Sequence, residues 1–93
     1  MIEFNSDSIE DLEIEAQKRA HEVSVEVTKS VISALEQGAD KVIVGMLKNV
    51  ELDLSVEKSG FLEALETNLV RCEEAEEYEL CKKSIKWIKK LRV

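Results

Sequence analysis

His21, Cys72 and Cys81 are the side chains of this sequence best suited to bind a metal ion or to act as nucleophiles. A zinc site needs three or four ligands at fitting spacing, and these three could meet only through the tertiary fold. Nine positions separate the two cysteines, so they do not form a Cys-x-x-Cys redox pair. Each cysteine falls on an apolar stripe, where cysteine behaves as a small hydrophobic side chain. We therefore predict packing roles for both cysteines, a boundary or surface position for His21, and no metal site.

The densest carboxylate cluster is a run of glutamates between residues 73 and 79. Carboxylates this close together could bind a metal ion, but nothing in the sequence brings a second cluster to them. A solvated charge run is therefore the simpler interpretation. The sequence shows no glycine-rich phosphate loop, serine nucleophile elbow or histidine–carboxylate motif. We predict a non-enzymatic protein with no catalytic residue and no cofactor.

Charge is divided unevenly along the chain, whose net charge is −7. Residues 82–93 contain six basic and no acidic side chains, whereas residues 1–81 contain seven basic and twenty acidic ones. Basic residues in the last turns of a helix complement its macrodipole, which is one explanation. The other explanation is a basic tip that binds nucleic acid or an acidic partner. Trp87 borders this region and could be a core-edge residue, an interface anchor, or both.

The first residues offer no basic segment followed by an apolar one, so the sequence predicts no secretory signal. No run approaches the ~18 apolar residues of a membrane span. Two cysteines without a secretory signal indicate a reducing compartment. Together these features predict a cytoplasmic protein that does not bind membranes.

The elements that position these residues are expected to be helical, because the chain has no proline and only three glycines. Ser8 with Asp11 three residues later resembles a capping box, and Gly38 is suited to end a helix. Between them, apolar residues recur every three or four positions: Ile9, Leu12, Ala16, Ala20, Val23, Val27, Val31 and Leu35. A helix of about 29 residues would be about 43 Å long, whereas a compact domain of this size is about 26 Å wide. The helix must kink or be covered in part by another chain, and alternating valines at 23, 25 and 27 leave a strand as the alternative.

Residues 39–56 carry two competing patterns. One set of apolar residues predicts a second helix of about three turns: Ala39, Val42, Ile43, Met46, Leu47 and Val50. Apolar residues at even positions are instead typical of a strand. The dipeptide at 48–49 is a poor two-residue hairpin turn, because such turns usually need glycine. We therefore predict helix to about Val50, an extended connection to Ser55, and a third helix capped by Ser55 or Ser59.

The last third carries two helical stripes that are out of phase with each other. The first stripe contains Leu62, Leu65, Leu69 and Cys72. The second stripe contains Tyr78, Cys81, Ile85 and Ile88. At about 100° per residue, one continuous helix would turn the stripes about 100–160° apart, whereas a break near residues 73–76 would let them meet. We predict a helical hairpin at residues 56–92, within one all-α, roughly four-helix domain that spans residues 1–93.

Some residues of this hairpin match positions of a known module: Leu65, Leu69, Glu77, Tyr78, Glu79, Ile88 and Leu91. With them the hairpin resembles a UVR-type domain, a two-helix interaction module of bacterial excision-repair proteins and some stress regulators. Ile85 and Lys86 stand where that family has an Arg-Asp pair. The resemblance covers about 30 residues and implies protein–protein association without catalytic residues.

We expect the protein to bind other proteins through its helical surfaces, as an adaptor or regulator that also forms homo-oligomers. The long first helix exceeds the elements that could cover it, and two copies could pair antiparallel about a two-fold axis. The residues expected to bind protein are Ile9, Leu12, Ala16, Tyr78, Trp87, Lys83, Lys86 and Lys90. The alternatives are nucleic-acid binding through the basic C-terminal helix, and an acidic inhibitor or decoy of a host protein.

Overall fold

The computed structural model describes residues 2–93, which form three strands, four α-helices and a short 3-10 turn. In chain order these are β1 (Ile2–Phe4), α1 (Ile9–Lys18), α2 (Ala20–Gln37), β2 (Lys41–Leu47), β3 (Leu52–Glu57), the 3-10 turn (Lys58–Gly60), α3 (Phe61–Glu74) and α4 (Tyr78–Leu91). The prediction of an all-α helical bundle is wrong. The chain is α+β, with 64% of its residues in helices and 17% in strands.

The three strands form one mixed sheet in the order β1-β2-β3. β1 runs parallel to β2, with Ile2 opposite Gly45 and Phe4 opposite Leu47. Parallel neighbours need a crossover connection, and α1 with α2 provides it. The buried side chains of Ile2 and Phe4 flank the exposed Glu3, so β1 has the alternation of a strand with one covered face.

β2 occupies the segment in which the sequence predicts a second helix, so that prediction is wrong. β2 pairs with β3 along its length, apart from an irregularity between Ile43 and Gly45, and residues 45–47 also pair with β1 on the other side. Strand pairing thus provides backbone hydrogen bonds that replace those of the predicted helix. A four-residue loop at 48–51 joins β2 to β3, in place of the two-residue turn that the sequence disfavours. Glu51 adopts a φ of 52° in this loop, a left-handed conformation usually left to glycine or asparagine. The extended segment predicted around residues 50–56 is confirmed as β3.

The predicted helix of about 29 residues is two helices, because the chain breaks at Arg19, with φ −111° and ψ 30°. The chain therefore kinks, which is one of the two alternatives predicted for a helix of this length. Both predicted ends are confirmed: the Asp11 amide donates to Ser8 Oγ at 3.2 Å, and Gly38 has a φ of 71°. The valine-rich segment is helical, within α2.

α2 is the central element of the core and packs on β2, α3 and α4. The buried face of α2 includes Ser24, Thr28 and Val31. This face is rotated from the predicted stripe, which ran through Val23 and Val27. The main cluster of buried residues contains Val31, Ile32, Ala34, Phe61, Leu65, Cys72, Leu80, Cys81 and Ile88. Small side chains on α2 let the neighbouring helix approach closely, as Cys72 Sγ lies 3.5 Å from Thr28 Oγ1. The prediction that both cysteines pack in the core is confirmed.

The predicted hairpin of two helices is confirmed, because α3 ends at Glu74 and α4 begins at Tyr78. In the bend, Glu76 has a φ of 60° and the Glu77 amide donates to the Cys72 carbonyl at 3.0 Å. Two details of the prediction are wrong. No side chain caps α3, which follows the 3-10 turn directly. α4 buries Leu80, Cys81, Ser84 and Ile88, so its inward face is rotated away from Tyr78 and Ile85.

The close contact between β1 and β2 can be tested by substitution of Gly45. A Cβ atom there would lie 3.1 Å from Ile2 Cγ2 and 3.2 Å from the Phe4 ring, and real side chains rarely pack this closely. Gly45→Ala should therefore lower the free energy of unfolding by about 1–3 kcal/mol, the usual range for overpacking. Gly60→Ala is the matched control, because its Cβ would reach only 3.4 Å from Val56. Urea unfolding compares them, and a Gly45→Ala variant as stable as wild type would contradict the described β1–β2 contact.

Candidate protein-binding surface

α1 is a helix that buries none of its ten residues. Ile9 is 71% exposed and Ile14 is 55% exposed, while Leu12 and Ala16 are half-buried. Ile9, Leu12 and Ala16 lie on one side of the helix, and Ile14 lies on the other side. The predicted binding residues of this segment therefore form a partly uncovered apolar stripe.

Arg19 anchors the start of the chain to the break between α1 and α2. Its Nη1 donates to the backbone carbonyl of Glu3 and to Glu15 Oε2, each at 2.8 Å. Its Nη2 and Nε donate to the two carboxylate oxygens of Glu22 at 2.8 and 3.0 Å. The guanidinium also lies 5.3 Å from the centroid of the Phe4 ring, within range of a cation–π contact. We refer to Arg19, Glu15 and Glu22 as the Arg19 clamp.

Glu15 completes the Arg19 clamp by accepting hydrogen bonds from the segment that follows β1. Its Oε1 accepts from Ser6 Oγ at 2.7 Å and from the Asn5 amide at 3.0 Å. The Ser6 hydroxyl, together with Arg19, lowers the pKa of the Glu15 carboxyl. Arg19 likewise lowers the pKa of Glu22, and its own pKa is raised by these carboxylates. The charged forms of all three side chains are therefore favoured by the fold.

α4 presents a continuous face of exposed lysines, formed by Lys82, Lys83, Lys86, Lys89 and Lys90. Within the described chain, Lys83, Lys86 and Lys89 have no carboxylate within 4 Å, whereas Lys82 lies 3.5 Å from Glu79. Lys90 Nζ lies 4.8 Å from the ring centroid of the half-buried Trp87. This lysine face therefore carries positive charge that the chain itself leaves largely unneutralised.

A shallow groove of about 310 Å³ runs between α3 and α4 beside the lysine face. Its lining residues are Glu66, Leu69, Ile85, Ile88, Lys89 and Arg92. Leu69, Ile85 and Ile88 supply apolar surface, and Ile85 is 41% exposed. Arg92 pairs with Glu66 across the groove, so its polar rim belongs to both helices. We call this feature the α3–α4 groove.

The structure distributes the predicted binding residues over two surfaces. Ile9, Leu12 and Ala16 lie on α1, whereas Tyr78, Trp87 and the three predicted lysines lie on α4. By helical geometry, Lys83 and Lys90 lie toward Trp87, and Lys89 lies toward Ile85 at the α3–α4 groove. Tyr78 is 61% exposed at the start of α4.

Sequence reasoning missed the lining of the α3–α4 groove because it assigned Ile85 and Leu69 to buried stripes. The spacing of Leu80, Ser84, Ile88 and Leu91 could have indicated which face of α4 is buried. These residues form an alternative inward face at i, i+4, i+8 and i+11, and they leave Ile85 at its margin. Ser84 interrupts this apolar pattern, because it is a polar residue that is nevertheless fully buried.

The residues with metal or nucleophile chemistry are dispersed. His21 is exposed, as predicted, and its Nε2 lies 3.5 Å from Glu74 Oε1. Burial, followed by proximity to Cys72, raises the pKa of the Cys81 thiol and so disfavours the reactive thiolate. Across residues 2–93, no three His, Cys, Asp or Glu side chains are placed to hold a metal ion together.

Comparisons with protein-family models, curated proteins and solved structures found no match to this chain. The resemblance to a UVR-type hairpin therefore stays a prediction. Within the described residues, no helix combines the length and the apolar composition needed to cross a membrane.

The Arg19 clamp predicts a specific loss of stability in acid. Folding lowers the pKa of Glu15 and Glu22 below the ordinary value of 4.5, so their stabilisation is present above that pH. It is lost as the pH falls through the lowered values, where the folded protein must take up protons. Glu15→Gln should therefore flatten the fall of the urea midpoint between pH 6 and pH 3.

Glu13→Gln is the matched control, because Glu13 lies on the same helix but is not among the hydrogen-bond or ion-pair partners of Arg19 and Ser6 in the described chain. Its urea midpoint should follow the wild-type dependence on pH. An unchanged acid dependence in Glu15→Gln would show that the clamp does not stabilise the fold.

Proposed function

We propose that this chain is a non-enzymatic protein-binding module whose α3–α4 groove receives an acidic, amphipathic helix. The observation that carries the proposal is the apolar groove of about 310 Å³ beside lysines that have no carboxylate partner in the described chain. We place this activity in the cytoplasm, where a reducing environment suits two cysteines that form no disulfide.

The shape of the groove favours a helix as the ligand. Ile85 on α4 and Arg92, the residue that follows α4, are seven residues apart and mark a length of about 10 Å, or two helical turns. A helix that places apolar side chains at i, i+3 and i+7 covers the same length with one face. Burial of those side chains against Leu69, Ile85 and Ile88 would supply affinity.

The charges beside the groove favour an acidic ligand. Lysines of α4 would attract it before contact, accelerate association and disfavour basic partners. Exposed lysine–carboxylate pairs add little affinity, so the apolar contact must carry most of the binding free energy. Such a complex would weaken moderately, and not steeply, as salt is added.

Nucleic-acid binding by the lysine face is the competing function, and the apolar groove beside that face argues against it. Leu69, Ile85 and Ile88 line the groove. A phosphate backbone would leave this apolar surface uncovered, whereas a helix with an apolar face would cover it. The six basic residues at the chain end also argue against an acidic decoy.

The proposal is tested with a synthetic helical peptide that carries leucines at i, i+3 and i+7 and glutamates on both flanks. Titration into isotope-labelled protein should shift the amide resonances of Leu69, Ile85 and Ile88 in NMR spectra. Ile85→Glu should weaken binding about tenfold or more, because an apolar contact is replaced by a repulsive charge. A scrambled peptide of the same composition should not bind.

Val70→Glu is the matched control, since Val70 is exposed on α3 but does not line the groove. This variant should bind the peptide as wild type does. The proposal is contradicted if the peptide leaves the groove resonances unchanged, or if duplex DNA binds more tightly and its affinity falls steeply with salt.

A further inference from the structure

We infer that the helix that fills the α3–α4 groove is α1 of a second copy of this chain. The inference rests on the proposed function, because it names the occupant of the same groove. The chain would then associate head to tail, with α1 of each copy docked on the hairpin of the next. Two features of α1, its partly uncovered apolar stripe and its acidic charge, match what the groove requires.

The apolar stripe of α1 has the spacing of a helix that binds in a groove. Ile9, Leu12 and Ala16 lie at i, i+3 and i+7, and Ile9 is 71% exposed. Glu10 and Glu13 are exposed beside this stripe. α1 therefore combines acidic side chains with an apolar stripe that its own chain covers only in part, at Leu12 and Ala16.

The lengths of the two surfaces agree. From Ile9 to Ala16 the stripe spans seven residues, about 10 Å, as does the groove from Ile85 to Arg92. In an antiparallel arrangement, the acidic first turns of α1 lie beside the basic last turns of α4. Glu13 can then approach Lys89, whose ammonium group has no carboxylate partner within the described residues.

The α1 of the same copy does not have access to the groove. Ala16 of α1 and Ala20 of α2 line a separate depression of about 210 Å³ with Asn68 and Arg71 of α3. These two α3 residues lie about 100° and 160° around the helix from Leu69, which lines the groove. The Arg19 clamp fixes α1 on that side, so a second copy is needed to fill the groove.

The charges of α1 favour head-to-tail docking over the pairing of two α1 helices. α1 contains four acidic side chains and one basic side chain, so pairing α1 with itself brings like charges together. Docking at the α3–α4 groove instead brings the exposed Glu10 and Glu13 toward Lys89 and the other lysines of α4. The contact is then heterologous, and the copies extend as a chain or close as a ring.

The experiment uses two full-length variants, each blocked on one surface. Ile9→Glu blocks α1 and keeps the groove, while Ile85→Glu blocks the groove and keeps α1. Both positions are exposed, so the fold should tolerate the change, and circular dichroism checks it. Sedimentation equilibrium should show assembly of the wild type, and a 10.6 kDa species for each variant alone. An equimolar mixture should form a single species of twice that mass.

Ile14→Glu and Val70→Glu are the matched controls, because they place the same charge on exposed apolar positions outside the two surfaces. Both should assemble as wild type does. Assembly of Ile85→Glu on its own would overturn the inference in favour of pairing between α1 helices. A wild type that stays at 10.6 kDa at several hundred micromolar, or a mixture that forms no heterodimer, would also overturn it.

The outcome separates this inference from the proposed function. Binding of the synthetic peptide by a wild type that stays monomeric would support the groove and reject the second copy as its occupant. Loss of both peptide binding and self-association would reject both.

Discussion

The side-chain bonds of Arg19 and Glu15 to residues 3–6 join β1 and the segment after it to the break between α1 and α2. The Phe4 carbonyl points toward β2 and accepts a hydrogen bond from the Lys48 amide. Because backbone groups alternate in direction along a strand, the Glu3 carbonyl and the Asn5 amide point away from β2. Arg19 donates to that carbonyl and Glu15 accepts from that amide. The ion pair thus takes the place of a further strand, and it protects an edge that would otherwise be open to pairing with other chains.

The break at Arg19 gives the two N-terminal helices separate roles. α2 packs on both the sheet and the hairpin, and its small buried side chains, Ser24 and Thr28, admit close contact with α3. α1 is directed by the clamp and contributes no buried residue. The buried core therefore comes from α2, the sheet and the hairpin, while α1 exposes apolar and acidic side chains.

Sequence reasoning succeeded where the determinants are local. The cap at Ser8, the left-handed residue Gly38 and the break between two C-terminal helices follow from neighbouring residues. It failed for β1 and β2, because their pairing joins segments about forty residues apart and overrides the helical periodicity of the second. The lysine face was visible from composition, but the α3–α4 groove was not. Its position depends on the rotation of α4, which buries the polar Ser84 and leaves Ile85 at the margin.

The head-to-tail contact between α1 and the α3–α4 groove is tested most directly by isotope-filtered NMR on a mixture of labelled and unlabelled copies. Such spectra record nuclear Overhauser effects only between protons of different copies. The proposed contact predicts effects from the Ile9 methyl groups to those of Leu69 and Ile85. Intermolecular effects between Ile9 and residues of α1 alone, or none at concentrations where the protein assembles, would contradict it.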